Sequence, residues 1–175
     1  MTVVDLEGNR IEGRYRPSSD TATHAALYRR FPEIGGMAHT HSVWATSWAQ
    51  AGRDIPCYGT THADHIYGEV PCVRELTPKE IDEDYEKNTG LLIADEFSLR
   101  NIGYLATPAV LCRNHGPFTW GKNAGELYIM RRFWKVARWR LFVNGSIPEM
   151  IRRLKSAGQT LLQKARRRSI LRTRE

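Results

Sequence analysis

The chain has 175 residues, 41% hydrophobic and 26% charged, enough for one domain with a packed core and too few to plan on two. No run approaches the roughly 18 apolar residues of a membrane span, the start MTVVDLEGNRIEG is acidic where a signal peptide is basic and then apolar, and Cys57, Cys72 and Cys112 form no CxxC pair. These features argue against a membrane protein, a secreted protein and a disulfide or thiolate-zinc scaffold, and a cytoplasmic protein is expected.

The opening TVVDLEGNRIEGRYRP has the pattern of two short strands around a Gly-Asn turn. Ser18, Ser19 and Asp20 precede the helically spaced Ala25, Leu27 and Phe31, which places the serines where helix caps belong and predicts a stop at Pro32. IGGMAHTH predicts a buried strand, and VWATSWAQAG a helix capped by Ser42 and ended by Gly52. The segment from Ile55 to Leu76 reads as short strands and turns. Thr77-Pro78-Lys79-Glu80 then has the capping-box pattern with proline in the first turn, opening a helix to about Phe97. TPAVLCRNHGPFTWG predicts another buried strand breaking at Gly116-Pro117, with a further helix from about Asn123. Alternating strands and helices predict a layered α/β domain.

His39 and His41 are separated by one residue at a predicted strand end, so both imidazoles share a face. Alone, the pair is read as readily as two polar residues near a strand end as it is as a ligand pair. His115 adds a third histidine where an apolar strand gives way to a turn, and three such histidines suggest a catalytic three-His zinc site. Asp20 reads either as a helix cap or, with Ser18 and Ser19, as a corner that binds phosphate or metal. Asp64 reads as a turn residue or, near a metal, as a group that moves protons. His24 is expected on a helix surface, and His62 and His65 as pocket lining or support for the ligands.

The segments PSSD at 17–20, HTHSVWATSWAQAG at 39–52, GTTHAD at 59–64 followed by IYGEVPC, and HGPFTWGKNA at 115–124 closely resemble the L-ribulose-5-phosphate 4-epimerases of the class II aldolase/adducin family. The resemblance runs from about residue 3 to 125. It implies a layered α/β/α domain with a central, mainly antiparallel or mixed sheet, incomplete here at both ends. It implies further that His39, His41 and His115 bind Zn2+ with Asp20 on the metal, that Ser18 and Ser19 lie near the substrate phosphate, and that Asp64 is one of two acid/base groups. The implied substrate is a phosphorylated pentulose, converted to its epimer by retro-aldol and aldol steps because the inverted carbon bears no acidic hydrogen. Zinc would stabilise the developing negative charge as a Lewis acid. The aldolase branch carries Glu where this chain has Asp20, which favours the epimerase over a sugar-phosphate aldolase. The resemblance also implies a homo-oligomer, a tetramer in the family.

The net charge of +7 divides unevenly: residues 1–125 hold 12 Lys+Arg against 16 Asp+Glu, and residues 126–175 hold 14 against 3. Two units are therefore expected, a partial epimerase-like domain at 1–125 and a basic segment at 126–175. The family has an upstream segment before the position of Met1 and a Tyr-Tyr-Gly-Gln ending that supplies the second acid/base group. Written in synonymous codons with one base restored after Glu126, residues 126–135 become the family-like helix EAVYNAAVLE. With one base dropped from Lys164, the tail reads KHAGGQYYGQG. A displaced reading frame thus ranks ahead of a basic appendage for nucleic acid or a partner. A chain impaired in catalysis is expected, as is poor packing of a segment that sets Trp134, Trp139 and Phe142 among arginines.

Overall fold

In the computed structural model, which describes residues 1–57 and 59–127, the elements follow in chain order. They are β1 (Val3–Val4), β2 (Arg10–Glu12), α1 (Thr21–Arg30), β3 (Gly36–His39), α2 (Val43–Ala51), α3 (Thr60–Ala63), β4 (Cys72–Val73), α4 (Pro78–Leu99), β5 (Ala109–Cys112) and β6 (Pro117–Gly121). Nearly all of the expected basic segment, from residue 128 on, lies outside the described residues. A helical turn at 124–127 begins where one was predicted, its start capped by Asn123 Oδ1, which accepts from the Glu126 N–H at 3.0 Å.

Every residue of β5 and β6 is buried. A strand this apolar is stable only where both faces of its sheet are covered. The order β3-β6-β5-β4 does this in a mixed sheet, with β3–β6 and β5–β6 antiparallel and β4–β5 parallel. Ala109 and Leu111 face Ala45, Trp48 and Ala49 of α2. The alternate residues Val110 and Cys112 join Phe118 and Trp120 in packing against Leu27 and Phe31 at the α1 end and Leu92, Ile93 and Phe97 of α4. The period of two along each strand thus makes the α/β/α layers expected of this sequence. β1 and β2 form a separate antiparallel hairpin.

Several local expectations hold and others are corrected. Thr77 and Glu80 form the capping box of α4 in both directions, and Gly52 ends α2 in the left-handed region at φ 64°. Neither serine caps α1: its N-cap is Asp20, and the Ser18 carbonyl instead accepts from Thr21 N–H at 3.1 Å and Thr21 Oγ1–H at 2.6 Å. Ser42 stands at the N-cap of α2 without a side-chain cap bond. The expected single strand through TPAVLCRNHGPFTWG is a hairpin, because Asn114 takes a positive φ of 62° and reverses the chain between β5 and β6. The segment after Ile55 contains the helical turn α3, in which Asp64 N–H reaches the Thr60 carbonyl at 2.8 Å. The helix α4 is interrupted at Asp84 (φ −164°, ψ 85°), where one continuous helix was expected. Among the described residues no helix is long and apolar enough to cross a membrane, and the three cysteines are unpaired. Burial pushes the Cys72 thiol up to about 12 and the Cys112 thiol higher, so neither offers a thiolate near neutral pH.

Candidate metal centre

His39 is the last residue of β3 and pairs in register with Phe118 of β6. Its side chain therefore lies on the same face as Met37 and Phe118, between the sheet and the α1/α4 layer. His41 follows two residues later, and His115 comes from the β5–β6 turn. One ring nitrogen of each lies within 4.8 Å of the other two. Close approach of the turn depends on Gly116, where a Cβ would stand 3.1 Å from the Thr40 carbonyl oxygen and 3.3–3.4 Å from the rings of His41 and His39.

The outer hydrogen bonds determine which nitrogens face inward. His39 Nδ1 lies 3.0 Å from the Pro117 carbonyl, which can only accept, so this nitrogen carries the proton and Nε2 is the bare lone pair. That Nε2 faces His41 Nε2 at 3.0 Å. His115 Nδ1 lies 3.0 Å from Tyr85 Oη, leaving its Nε2 for the cluster. Burial lowers the His39 pKa, an effect opposed by the Pro117 carbonyl and Asp20. Burial, reinforced by His39 and His41, pulls His115 down to about 4. His39 and His115 are thus neutral near pH 7, as metal ligation requires. Two inward nitrogens 3.0 Å apart, one already deprived of its proton, form a donor set that a shared divalent cation fits.

Asp20 is half-buried at the start of α1, and its side chain makes no cap bond. Its carboxylate is not within the three-histidine cluster, but it lines the same cleft as His24 and His39, and its charge partly opposes the lowering of the His24, His39 and His115 pKa values. Ser18 and Ser19 are exposed on the turn before it. A cleft of about 540 Å³ joins Ser18, Asp20, His24, Tyr28, Met37 and His39. A second, of about 740 Å³, shares Ser18 with the first and brings it together with Ser19, Arg16, Arg29 and Lys87, with Glu7 and Asp84 also on its wall.

The remaining candidates are dispersed. Asp64 sits at the exposed C-cap of α3 and is not among the charges acting on His39 or His115. His65 is exposed and His62 wholly buried, neither within the cluster. His24 is not on the helix surface as expected: it lies half-buried in the cleft with its ring edge on Phe118 at 5.8 Å, and burial lowers its pKa. Sequence reasoning did not single out Phe118, whose ring underlies His39, or Tyr85. The only signal for Phe118 is its place opposite a strand-end histidine, and that requires the strand pairing.

The family model for the Class II Aldolase and Adducin N-terminal domain matches residues 1–135. Over 126 residues the chain is 55% identical to the L-ribulose-5-phosphate 4-epimerase UlaF of Salmonella paratyphi B (strain ATCC BAA-1250 / SPB7) and to that of Salmonella typhi. These alignments cover 72% of this chain and 54% of each relative, so the chain spans about half the length of the curated relatives it matches. Among solved structures it resembles an L-fuculose 1-phosphate aldolase, with a TM-score of 0.63 and 19% identity over 89% of this chain and 70% of that one. It also resembles YgbL of Klebsiella pneumoniae, with a TM-score of 0.57 and 24% identity over 82% and 65% of the two chains. At these identities the likeness to the solved structures is one of fold.

Proposed function

Because the chain belongs to the class II aldolase and adducin family, we propose that residues 1–125 are the metal-binding part of an L-ribulose-5-phosphate 4-epimerase, which interconverts its substrate with D-xylulose 5-phosphate. The observation that carries this reading is the convergence of His39, His41 and His115, two of them held neutral with Nε2 turned inward. The identity to the Salmonella epimerases supports the choice of reaction. The donor set of three nitrogens and a nearby carboxylate suits Zn2+. When bound, the ion supplies Lewis-acid stabilisation of the negative charge that appears when a carbon–carbon bond is broken.

The residues of this chain have separate tasks in this reading. His39, His41 and His115 hold the ion, and Asp20 adds a negative charge beside it. Ser18 and Ser19 receive the substrate phosphate at the start of α1, where helix N–H groups favour an anion, and Arg16 and Lys87 border the same cleft. Asp64 serves as an acid/base group. Its exposed place on α3 suits a site completed by a second copy of the chain, consistent with a homo-oligomer. Residues 126–175 are read as coding sequence displaced from its frame, so the chain as written does not measurably epimerise its substrate.

The test is a graft of residues 1–125 into a full-length Salmonella relative in place of the matching stretch. The graft is expected to retain zinc and to interconvert the two pentulose phosphates, and His39→Ala to abolish both. A zinc-loaded graft that cleaves L-fuculose 1-phosphate and leaves the pentulose phosphates unchanged would assign the domain to aldol cleavage instead.

A further inference from the structure

Two of the three clustered histidines have an identified partner on the outer nitrogen, and the two partners differ. For His39 it is a backbone carbonyl fixed by the sheet. For His115 it is a side chain, Tyr85 Oη at 3.0 Å, which reaches the cluster from a different layer. The α4 backbone is unusual just where it delivers this side chain. It breaks at Asp84, the residue before Tyr85. Asp84 Oδ1 then accepts from Lys87 N–H at 3.2 Å, as a cap does at a fresh helix start, while Asn88 Nδ2 donates to the Glu80 carbonyl at 2.8 Å and ties the two segments across the break.

The restarted segment has two further side-chain bonds, one within itself and one from α1. Thr89 Oγ1 donates to the Tyr85 carbonyl at 2.7 Å, and Thr23 Oγ1 of α1 donates to the Glu86 carbonyl at 2.5 Å. α1 can come this close because residue 90 is glycine: a Cβ there would stand 2.7 Å from the Thr23 carbonyl oxygen. An unbroken helix would carry the Tyr85 side chain on another bearing.

We infer that Tyr85 is a positioning residue for the metal centre, accepting the Nδ1–H of His115 so that Nε2 points at the ion, and that the break at Asp84 brings it there. The inference rests on the metal-centre reading above. A ligand imidazole whose outer nitrogen has a partner keeps one tautomer and one ring orientation, and removal of such a partner typically lowers metal affinity about 10- to 100-fold. Tyr85 is half-buried and its ring lies 6.0 Å from that of His115, so loss of the hydroxyl alone leaves the packing in place.

The test is titration of the metal-free 175-residue chain with Co2+, followed by visible absorption, for the wild type, Tyr85→Phe, His115→Ala and the double variant. Tyr85→Phe is expected to bind about 10- to 100-fold more weakly with an altered ligand-field spectrum and an unchanged melting curve for the metal-free protein. In the His115→Ala background, adding Tyr85→Phe should change nothing further. Asp84→Leu, which favours a continuous helix and leaves Tyr85 in the sequence, should reproduce the weakening. Wild-type affinity and spectrum in Tyr85→Phe, or an equal loss on adding it to His115→Ala, would overturn the inference and leave the metal centre standing. A wild type that binds no Co2+ would overturn the metal centre and the inference together.

Discussion

His39 and Phe118 face one another across the β3–β6 register, and their rings stack at 4.2 Å with 23° between planes. Phe118 is wholly buried and also meets the rings of His24 and His115, at 5.8 and 6.4 Å. One core side chain thus forms the floor beneath His24, His39 and His115, two of them in the histidine cluster, and links sheet packing to the geometry of those rings. Phe118→Ala is expected to cost about 3–5 kcal/mol by opening a cavity. Phe118→Leu separates the two roles: it keeps most of the volume, at a cost below about 1.5 kcal/mol, but removes the flat surface behind His39. Metal affinity should therefore fall further than denaturant stability does. Equal Co2+ affinity in Phe118→Leu and wild type would show that the stacking has no part in presenting the ligand.

Gly116 offers a complementary perturbation from above. A methyl group there meets the Thr40 carbonyl oxygen at 3.1 Å and the rings of His41 and His39 at 3.3 and 3.4 Å, so either the turn or the rings must give by a few tenths of an ångström. Gly116→Ala is expected to weaken metal retention with a small change in melting temperature, read by metal analysis after gel filtration. His39→Ala is the reference for complete loss.

The contrast between these residues explains what was legible in the sequence. His39, His41 and His115 could be picked out because each stands where an apolar strand pattern ends, and strand pattern is local. The two-sided burial of β5 was visible in the same way, since PAVLC has no polar position. Placing His24 required the packing of α1 over Phe118 of β6, which no window around residue 24 contains. The break at Asp84 was hidden because Ile81 to Asn88 suits a helix on propensity, while Asp84 can equally cap a new one. Tyr85 was missed for that reason: its value comes from the bearing on which the break sends it.

The α1–α4 crossing supplies a stability test away from the histidines. A Cβ at Gly90 would lie 2.7 Å from the Thr23 carbonyl oxygen and 2.8 Å from the Ala26 Cβ, distances that backbone cannot relieve by a rotamer change. Gly90→Ala removes a helix-weakening glycine, worth about 1 kcal/mol in its favour, yet the overpacking it forces typically costs about 1–3 kcal/mol. The net expectation is destabilisation in urea, together with weaker metal binding because α1 carries Asp20. A stabilised Gly90→Ala would mean that the two helices can separate freely.

Acid sensitivity should trace in part to Glu80. The Arg74 guanidinium, followed by the Thr77 backbone N–H, holds its carboxyl down to about 2 from an ordinary 4.5. A depressed folded-state pKa contributes stability that is fully present above about 4.5 and is lost as pH falls toward 2. Between those limits the capping box of α4 loses its acceptor, and Glu80→Gln should flatten this part of the stability–pH curve. Thr77→Ala should cost about 0.5–2 kcal/mol at neutral pH by removing the other half of the cap. An unchanged acid limb in Glu80→Gln would assign the sensitivity to other carboxylates.

The basic tail separates an inherited enzyme from a binding protein. Residues 126–175 hold 14 Lys+Arg against 3 Asp+Glu. If those charges were selected to hold nucleic acid, binding should be sequence-dependent and removal of the segment should abolish it. If they arise from a displaced reading frame, nothing selected their placement. A purely electrostatic encounter then remains, and its affinity falls steeply with salt because each neutralised phosphate releases counterions. We expect this second outcome: weak association with any duplex, lost on raising salt from 50 to roughly 200 mM. Truncation after residue 127 should raise the yield of soluble protein and leave Co2+ affinity unchanged, because all three histidines and Tyr85 precede the cut. A salt-resistant, sequence-specific complex that disappears on truncation would instead make the tail a functional element and the histidine cluster an inherited scaffold.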